Sequence, residues 1–287
     1  MKFNKVAIIG VGLIGGSVGL AIRKKRLARE VIGVFRRAST LKKALKAKAV
    51  TRATMSIGEG VKAADLIIVA APVYSIPALV KEAAKHAKKG AIITDVGSTK
   101  TWILNNVEKI LKNSRSIYFV GSHPMAGSEH ASVEFARADL LSGAPCIVTK
   151  DAKTDKAALK KVISFWASVG AKVKVLSPEA HDRSVSLISH LPHIVAFALA
   201  GAVPEKELQY AAEGFKDTTR VASSDPALWA DIFLTNSKEI AKAARLFKKY
   251  CKDILGAVES GDYPKMVSVL KRAKAKRDKL IYGKERP

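Results

Sequence analysis

KVAIIGVGLIGGSVGL, residues 5–20, decides how the rest of the chain is read. Val6, Ala7, Ile8 and Ile9 are apolar without polar alternation, which suits a parallel strand covered on both faces. Gly10, Gly12 and Gly15 then form G-x-G-x-x-G, and Leu13, Ile14, Val18, Ala21 and Ile22 continue as an apolar helix pattern. In such a strand–turn–helix the first glycine makes the turn and the second admits a pyrophosphate. The third lets helix and strand pack closely, while free N–H groups at the helix start face the anion. Gly10, Gly12, Leu13, Ile14 and Gly15 are therefore expected to bind a dinucleotide.

Further strands are expected at residues 31–35, 66–70, 91–96, 117–120, 145–149 and 172–176, with helices between them. That alternation predicts an α/β fold, a Rossmann-type and mainly parallel sheet. Ligands of such sheets sit beyond the carboxyl ends of the strands. The glycine loop, Arg36, Ala71-Pro72, Ser98 and His123 each follow an expected strand, so they point to one cleft. Ser98 is also placed to cap a helix starting near Thr99. After Ser177 no strand pattern remains, and helical periodicity covers 180–202, 205–215, 226–250 and 264–281. The expected division is a dinucleotide-binding domain, 1–176, and a smaller all-α domain, 177–287. Its surplus of Ala, Leu and Ile suits burial against a second copy.

About 20 residues beyond the glycines an acid would bind the ribose 2′-hydroxyl of NAD. This chain instead has Arg36, Arg37, Ser39 and Thr40, two cations and two hydroxyls, chemistry for a 2′-phosphate, so NADP is favoured and NAD stays open. His123 precedes Pro124 and small residues and could take a proton from a hydroxyl as hydride leaves the same carbon; a loop histidine bonded to backbone is the alternative. Arg220, among small polar residues, suits capture of a carboxylate, unless Asp217 pairs with it. His190 and His193 have no accompanying Cys or carboxylate cluster, so no metal is expected.

The 287 residues carry 50 Lys and Arg against 25 Asp and Glu, a net charge of +25. The basic runs hold no interleaved aromatics, which reads as solvated helix faces rather than a nucleic-acid surface. The field still favours anionic ligands. No apolar run of about 20 residues suggests a membrane span. Because the first strand opens at once, no removable leader is expected. Cys146 and Cys251 stand in no metal or redox spacing, consistent with reduced thiols and a cytoplasmic protein.

With these residues in view, the chain resembles the prephenate and arogenate dehydrogenases of tyrosine biosynthesis. The likeness rests on GLIGGS (12–17), DVGSTK (95–100), GSHPMAGSE (121–129), His181-Asp182, SHLPH (189–193), GFKDTTR (214–220) and SDPALW (224–229). It implies NAD(P)-dependent oxidative decarboxylation of prephenate to 4-hydroxyphenylpyruvate, with arogenate as the alternative substrate. By that likeness His123 and Ser98 are catalytic, His123 meeting the ring hydroxyl and Ser98 orienting it. His193, Arg220, Ser128, Glu129 and Asp217 would bind substrate, Arg220 taking the ring carboxylate and His193 the pyruvyl side chain. Ala71, Pro72 and Ser98 would join the cofactor site, and the helical domain would form a homodimer. Lys216 stands where the family often has Arg, and Arg36 where it usually has an acid. A hydroxyacid or imine reductase on the same plan, or an NADP(H)-sensing binding protein, would account for the glycine loop. The sensing protein gives no reason for His123, Ser98 and Arg220 to meet.

Overall fold

The computed structural model describes residues 2–112, 116–127 and 132–283. Its centre is a six-stranded, all-parallel sheet in the order β3-β2-β1-β4-β5-β6. The strands are β1 Phe3–Ile9, β2 Ala28–Val34, β3 Arg52–Thr54, β4 Leu66–Val69, β5 Ile92–Asp95 and β6 Tyr118–Val120. The crossovers carry α1 Leu13–Lys24, α2 Ala38–Lys46, α3 Ile57–Val61, α4 Ile76–His86 and α5 Thr101–Leu111. The order reverses between β1 and β4, so their carboxyl ends diverge into a crevice, the usual ligand position.

The apolar strand runs are explained by burial on both faces. Val6 and Ile8 join the core cluster that contains α1 and α6 (Lys156–Val169), including Phe165 and Trp166. Ala7 and Ile9 join the opposite cluster, with Val80, Ile103 and Val107. Each fully buried aliphatic side chain contributes about 1.5–3 kcal/mol. Glycine is required where the loop closes on itself. Gly10 has φ +90°, and a Cβ there would stand 2.2 Å from the Ala70 carbonyl oxygen. A Cβ on Gly15 would stand 2.1 Å from the Gly10 carbonyl oxygen.

Several local expectations are corrected. The residues after β6 do not form a plain loop: β7, Ser122–Pro124, pairs antiparallel with β8, Pro145–Thr149, which pairs parallel with β9, Lys172–Leu176. Tertiary pairing, not local propensity, makes a strand of Ser-His-Pro, and it fixes His123 opposite Ile147. Ser98 does not cap the next helix; α5 begins at Thr101 and its first N–H groups bond to Asp182. Residues 205–215 are not one helix, but a 3₁₀ segment Glu205–Tyr210 and then α9, Glu213–Thr219. Residues 226–250 break at Asn236 into α10, Pro226–Thr235, and α11, Ser237–Glu259.

The expectation that no segment could span a membrane also needs revision. α7 (Pro178–Val185), a π-helical turn (Ser186–His190) and α8 (Leu191–Ala202) form one 25-residue helix containing an 18-residue stretch of mean hydropathy 1.6, long and apolar enough to cross one by length and composition. Its polar residues interrupt the sequence pattern and hide this continuity. Those residues include His181, Asp182 and His190, all buried within the protein.

By compactness the chain divides into residues 1–237 and 238–287. The second unit holds nearly all of α11 and α12, Tyr263–Tyr282, the latter capped by the Asp262 carboxylate accepting from the Lys265 N–H. After β9 the described residues contain no strand.

Candidate active site

Two places in the first unit carry the expected residues. The first is a cavity of about 250 Å³ at the carboxyl ends of β1 and β2. It is lined by Gly10, Val11, Gly12, Phe35, Arg36, Arg37, Thr40, Ser132 and Val133. α1 has no acidic residue in its first turn, so nothing opposes an anion at its N-terminus. The glycine cradle that a Cβ would fill, the helix start and two exposed arginines fit a dinucleotide. Of the two expected hydroxyls Thr40 lines this cavity, while Ser39 is exposed and does not. Ser132 and Val133 were not anticipated, since they arrive from a segment far along the chain. Leu13 is buried and Ile14 half-buried in α1, while Ala71 and Pro72 follow the carboxyl end of β4.

The second place lies beyond β5 and β7. Asp95 and Lys100 form a wholly buried ion pair. Lys100 Nζ also donates to the Ser122 carbonyl at 2.8 Å, and Asp95 accepts the Ser122 N–H at 3.0 Å and the Gly97 N–H at 2.9 Å. These contacts lock the turn after β5 to the strand bearing His123. The Asp182 carboxylate accepts the N–H groups of Lys100 (2.8 Å) and Thr101 (2.9 Å), and its Oδ1 lies 2.8 Å from His181 Nδ1. His181 Nε2 lies 2.8 Å from His123 Nδ1. The partner of His123 is thus His181; Ser98 sits half-buried two residues before Lys100. Thr99 is hydrogen-bonded to Thr235 of α10 at 3.0 Å, so this turn also meets the helical segment.

The π-helical turn then presents His190 and, on α8, His193. Asn236 Nδ2 donates to the Asp182 carbonyl at 2.9 Å and lies 3.1 Å from His190 Nδ1, while His190 Nε2 has no partner among the described residues. His193 stacks on Trp229, ring centroids 3.5 Å apart, and bonds the Ser189 carbonyl at 2.9 Å. Burial, together with the nearby Arg220 charge, lowers its pKa. Arg220 and Asp217 are both exposed and not paired with one another. Ser128 and Glu129 lie outside the described residues, as does His130.

Burial dominates the electrostatics. The pKa of His123 is pushed well below its ordinary value by desolvation, then by His181, Lys100 and His190. His181 is lowered by burial against the raising effect of Asp182, and His190 is lowered by burial to about 4. Cys146, beside the backbone N–H of His123, is pushed up by burial to about 12 and is no nucleophile. Histidines depressed in the folded state bind protons first in the unfolded one. Their stabilisation is therefore complete above their unfolded pKa of about 6.5 and is lost as pH falls towards the folded values. Melting temperature is expected to drop steadily from about pH 6.5 to about pH 4, and a flat profile would contradict the buried neutral assignments.

The sequence reading did not anticipate the Asp95–Lys100 pair or a role for His181-Asp182. A carboxylate inside the apolar strand IITD signals the first, because a buried charge needs a partner. His181 and Asp182, ionisable neighbours directly ahead of the apolar run of α8, signal the second.

A glycine-cradled parallel sheet, a neutral histidine beyond its carboxyl edge and a following helical segment define the nicotinamide-dinucleotide oxidoreductases. Residues 18–175 match the family model for the prephenate dehydrogenase nucleotide-binding domain, and residues 177–272 that for its dimerization domain. The chain belongs to the prephenate dehydrogenase family. It is 36% identical over 284 residues to the prephenate dehydrogenase of Bacillus subtilis, covering 96% of this chain and 76% of that one. It is 32% identical to the cyclohexadienyl dehydrogenase of Zymomonas mobilis, covering 91% of each. The crystal structure of prephenate dehydrogenase from A. aeolicus with hydroxyphenyl propionate and NAD+ superposes with a TM-score of 0.90 at 33% identity, covering 98% of this chain and 99% of that one.

Proposed function

We propose that this chain oxidises and decarboxylates prephenate to 4-hydroxyphenylpyruvate. The observation that carries this is His123, held neutral on β7 directly after β6, the last strand of the sheet that bears the dinucleotide cradle. The bound nicotinamide supplies the hydride acceptor. His123 takes the proton of the ring hydroxyl as hydride leaves the same carbon. The resulting dienone loses its ring carboxylate as carbon dioxide, and the electron pair of that bond restores the aromatic ring. His123 then returns its proton to the phenolic oxygen, so the balance needs no other acid or oxidant. Ser98 orients the hydroxyl from the turn after β5. Arg220 binds the ring carboxylate, and Asp217, Ser128 and Glu129 are assigned to substrate binding by likeness to the family. His193, stacked on Trp229, addresses the pyruvyl end, which favours prephenate over arogenate. Initial rates with prephenate and arogenate side by side test the reading; turnover of neither would end it.

The finer cofactor choice we assign is NADP. Arg36, Arg37 and Thr40 line one cavity with Gly10 and Gly12, where the 2′-phosphate of the adenosine ribose would lie. A charged hydrogen bond contributes about 1.5–3 kcal/mol, so Arg36→Ala is expected to lower the NADP-to-NAD ratio of kcat/KM about tenfold or more. An unaltered ratio would leave NAD as the cofactor. The division into a catalytic domain, 1–176, and a helical domain, 177–287, follows the change from strands to helices. Exposed apolar side chains on α11 and α12, among them Leu246, Phe247, Leu255 and Val258, suit homodimer formation. Both cysteines are free, in keeping with a cytoplasmic setting.

A further inference from the structure

The line Asp182–His181–His123 determines where two protons sit. Asp182 offers only acceptors, two of its bonds being to the Lys100 and Thr101 N–H groups. His181 Nδ1, at 2.8 Å from that carboxylate, must therefore carry a proton. A neutral imidazole has a single N–H, so His181 Nε2 presents its lone pair, 2.8 Å from His123 Nδ1. His123 must then be protonated on Nδ1. Its Nε2 keeps the lone pair, with no protein partner among the described residues.

We infer that His181 and Asp182 are positioning residues that fix the tautomer of His123, so that Nε2 alone is the basic atom offered to the substrate hydroxyl. This rests on His123 being the base, as proposed above. The opposite arrangement would set a bare His181 Nδ1 against a carboxylate, two acceptors 2.8 Å apart. A doubly protonated His181 is opposed by its burial and by Lys100. The charged and titratable groups facing the two rings are few. Asp182 lies beside His181 on α7, Lys100 at the start of α5, Asp95 on β5, His190 on the π-helical turn and Cys146 on β8. Lys100 is already paired with Asp95, and Cys146 is a neutral thiol, so Asp182 is the carboxylate that orders the line. The device resembles other triads in logic, where the outer carboxylate sets the tautomer of the base.

Long-range ¹⁵N–¹H correlations on histidine-labelled full-length protein read the tautomers directly. Expected are Nδ1–H on both His123 and His181; a His123 protonated on Nε2 overturns the inference. A kinetic arm uses His181→Leu, which removes the acceptor, and His181→Gln, whose amide oxygen can take the place of Nε2. With prephenate, kcat should fall about tenfold or more in His181→Leu, with KM little changed, and should recover largely in His181→Gln. Wild-type kcat in His181→Leu, or a folded His181→Gln no better than His181→Leu, also overturns it. If the variants do not fold, the tautomer measurement decides alone. His123→Asn retaining full kcat would remove the base role while leaving the tautomer readout intact, so the two failures are distinguishable.

Discussion

His123→Asn is expected to lower kcat with prephenate by about 100-fold or more, the scale for losing a general base, with the fold intact. The asparagine amide nitrogen can occupy the place of Nδ1 and still donate to His181 Nε2, so the buried contact at 2.8 Å survives. Nothing in the variant replaces Nε2, which faces away from that contact. Melting temperature and circular dichroism should therefore match the wild type while turnover collapses. The pH profile adds a second check. The base works only when neutral, and desolvation with His181, Lys100 and His190 depresses its pKa well below the usual histidine value. The acid limb of kcat/KM should consequently fall well below about pH 6.5 rather than at it. Turnover unchanged in the variant would remove His123 from the chemistry, and an acid limb at the ordinary histidine pKa would contradict its burial.

Local chemistry made the first half of this site readable. Gly10, Gly12 and Gly15 follow an apolar strand and open a helix, and the closeness of Gly15 to the Gly10 carbonyl is a contact between near neighbours. Arg36 could be expected beside the glycine loop because crossover length fixes where β2 ends, and it lines one cavity with Gly10 and Gly12. The second half depends on contacts that no short stretch encodes. The partner of His123 lies 58 residues further on, and the carboxylate capping α5 lies 82 residues from the N–H it accepts. Ser98 has the residue type of a cap and stands near the right place, yet Asp182 holds α5 because an ionised carboxylate bonds two N–H groups at once. β7 escaped for a related reason: three residues carry too little pattern, and its strand geometry comes from pairing with β8. The break at Asn236 likewise reflects tertiary bonds, to Asp182 and His190.

Lys100→Met should destabilise the folded protein by about 3–5 kcal/mol, the cost of leaving a buried charge without its partner. For a unit of this size that lowers the melting temperature by about 10 °C. Lys100 and Asp95 are both sealed from solvent, and the pair is tied by further bonds to Ser122 and Gly97. Burial lowers the Lys100 pKa, while Asp95 acts in the raising direction; without the ammonium the carboxylate would face an apolar core. Methionine matches the lysine stem in volume, so the loss reports charge and hydrogen bonding rather than a cavity. Asp95→Asn added to Lys100→Met should recover part of the stability, since a neutral amide can still accept a backbone N–H. That recovery separates an electrostatic origin from disturbed packing. A single variant within about 1 kcal/mol of wild type would show that the pair contributes little. The consequence reaches the chemistry because Lys100 holds Ser122 beside His123 with its ammonium and Asp182 with its own N–H. The residue that orders the core beneath the cleft therefore also aligns the two segments from which His123 and His181 come.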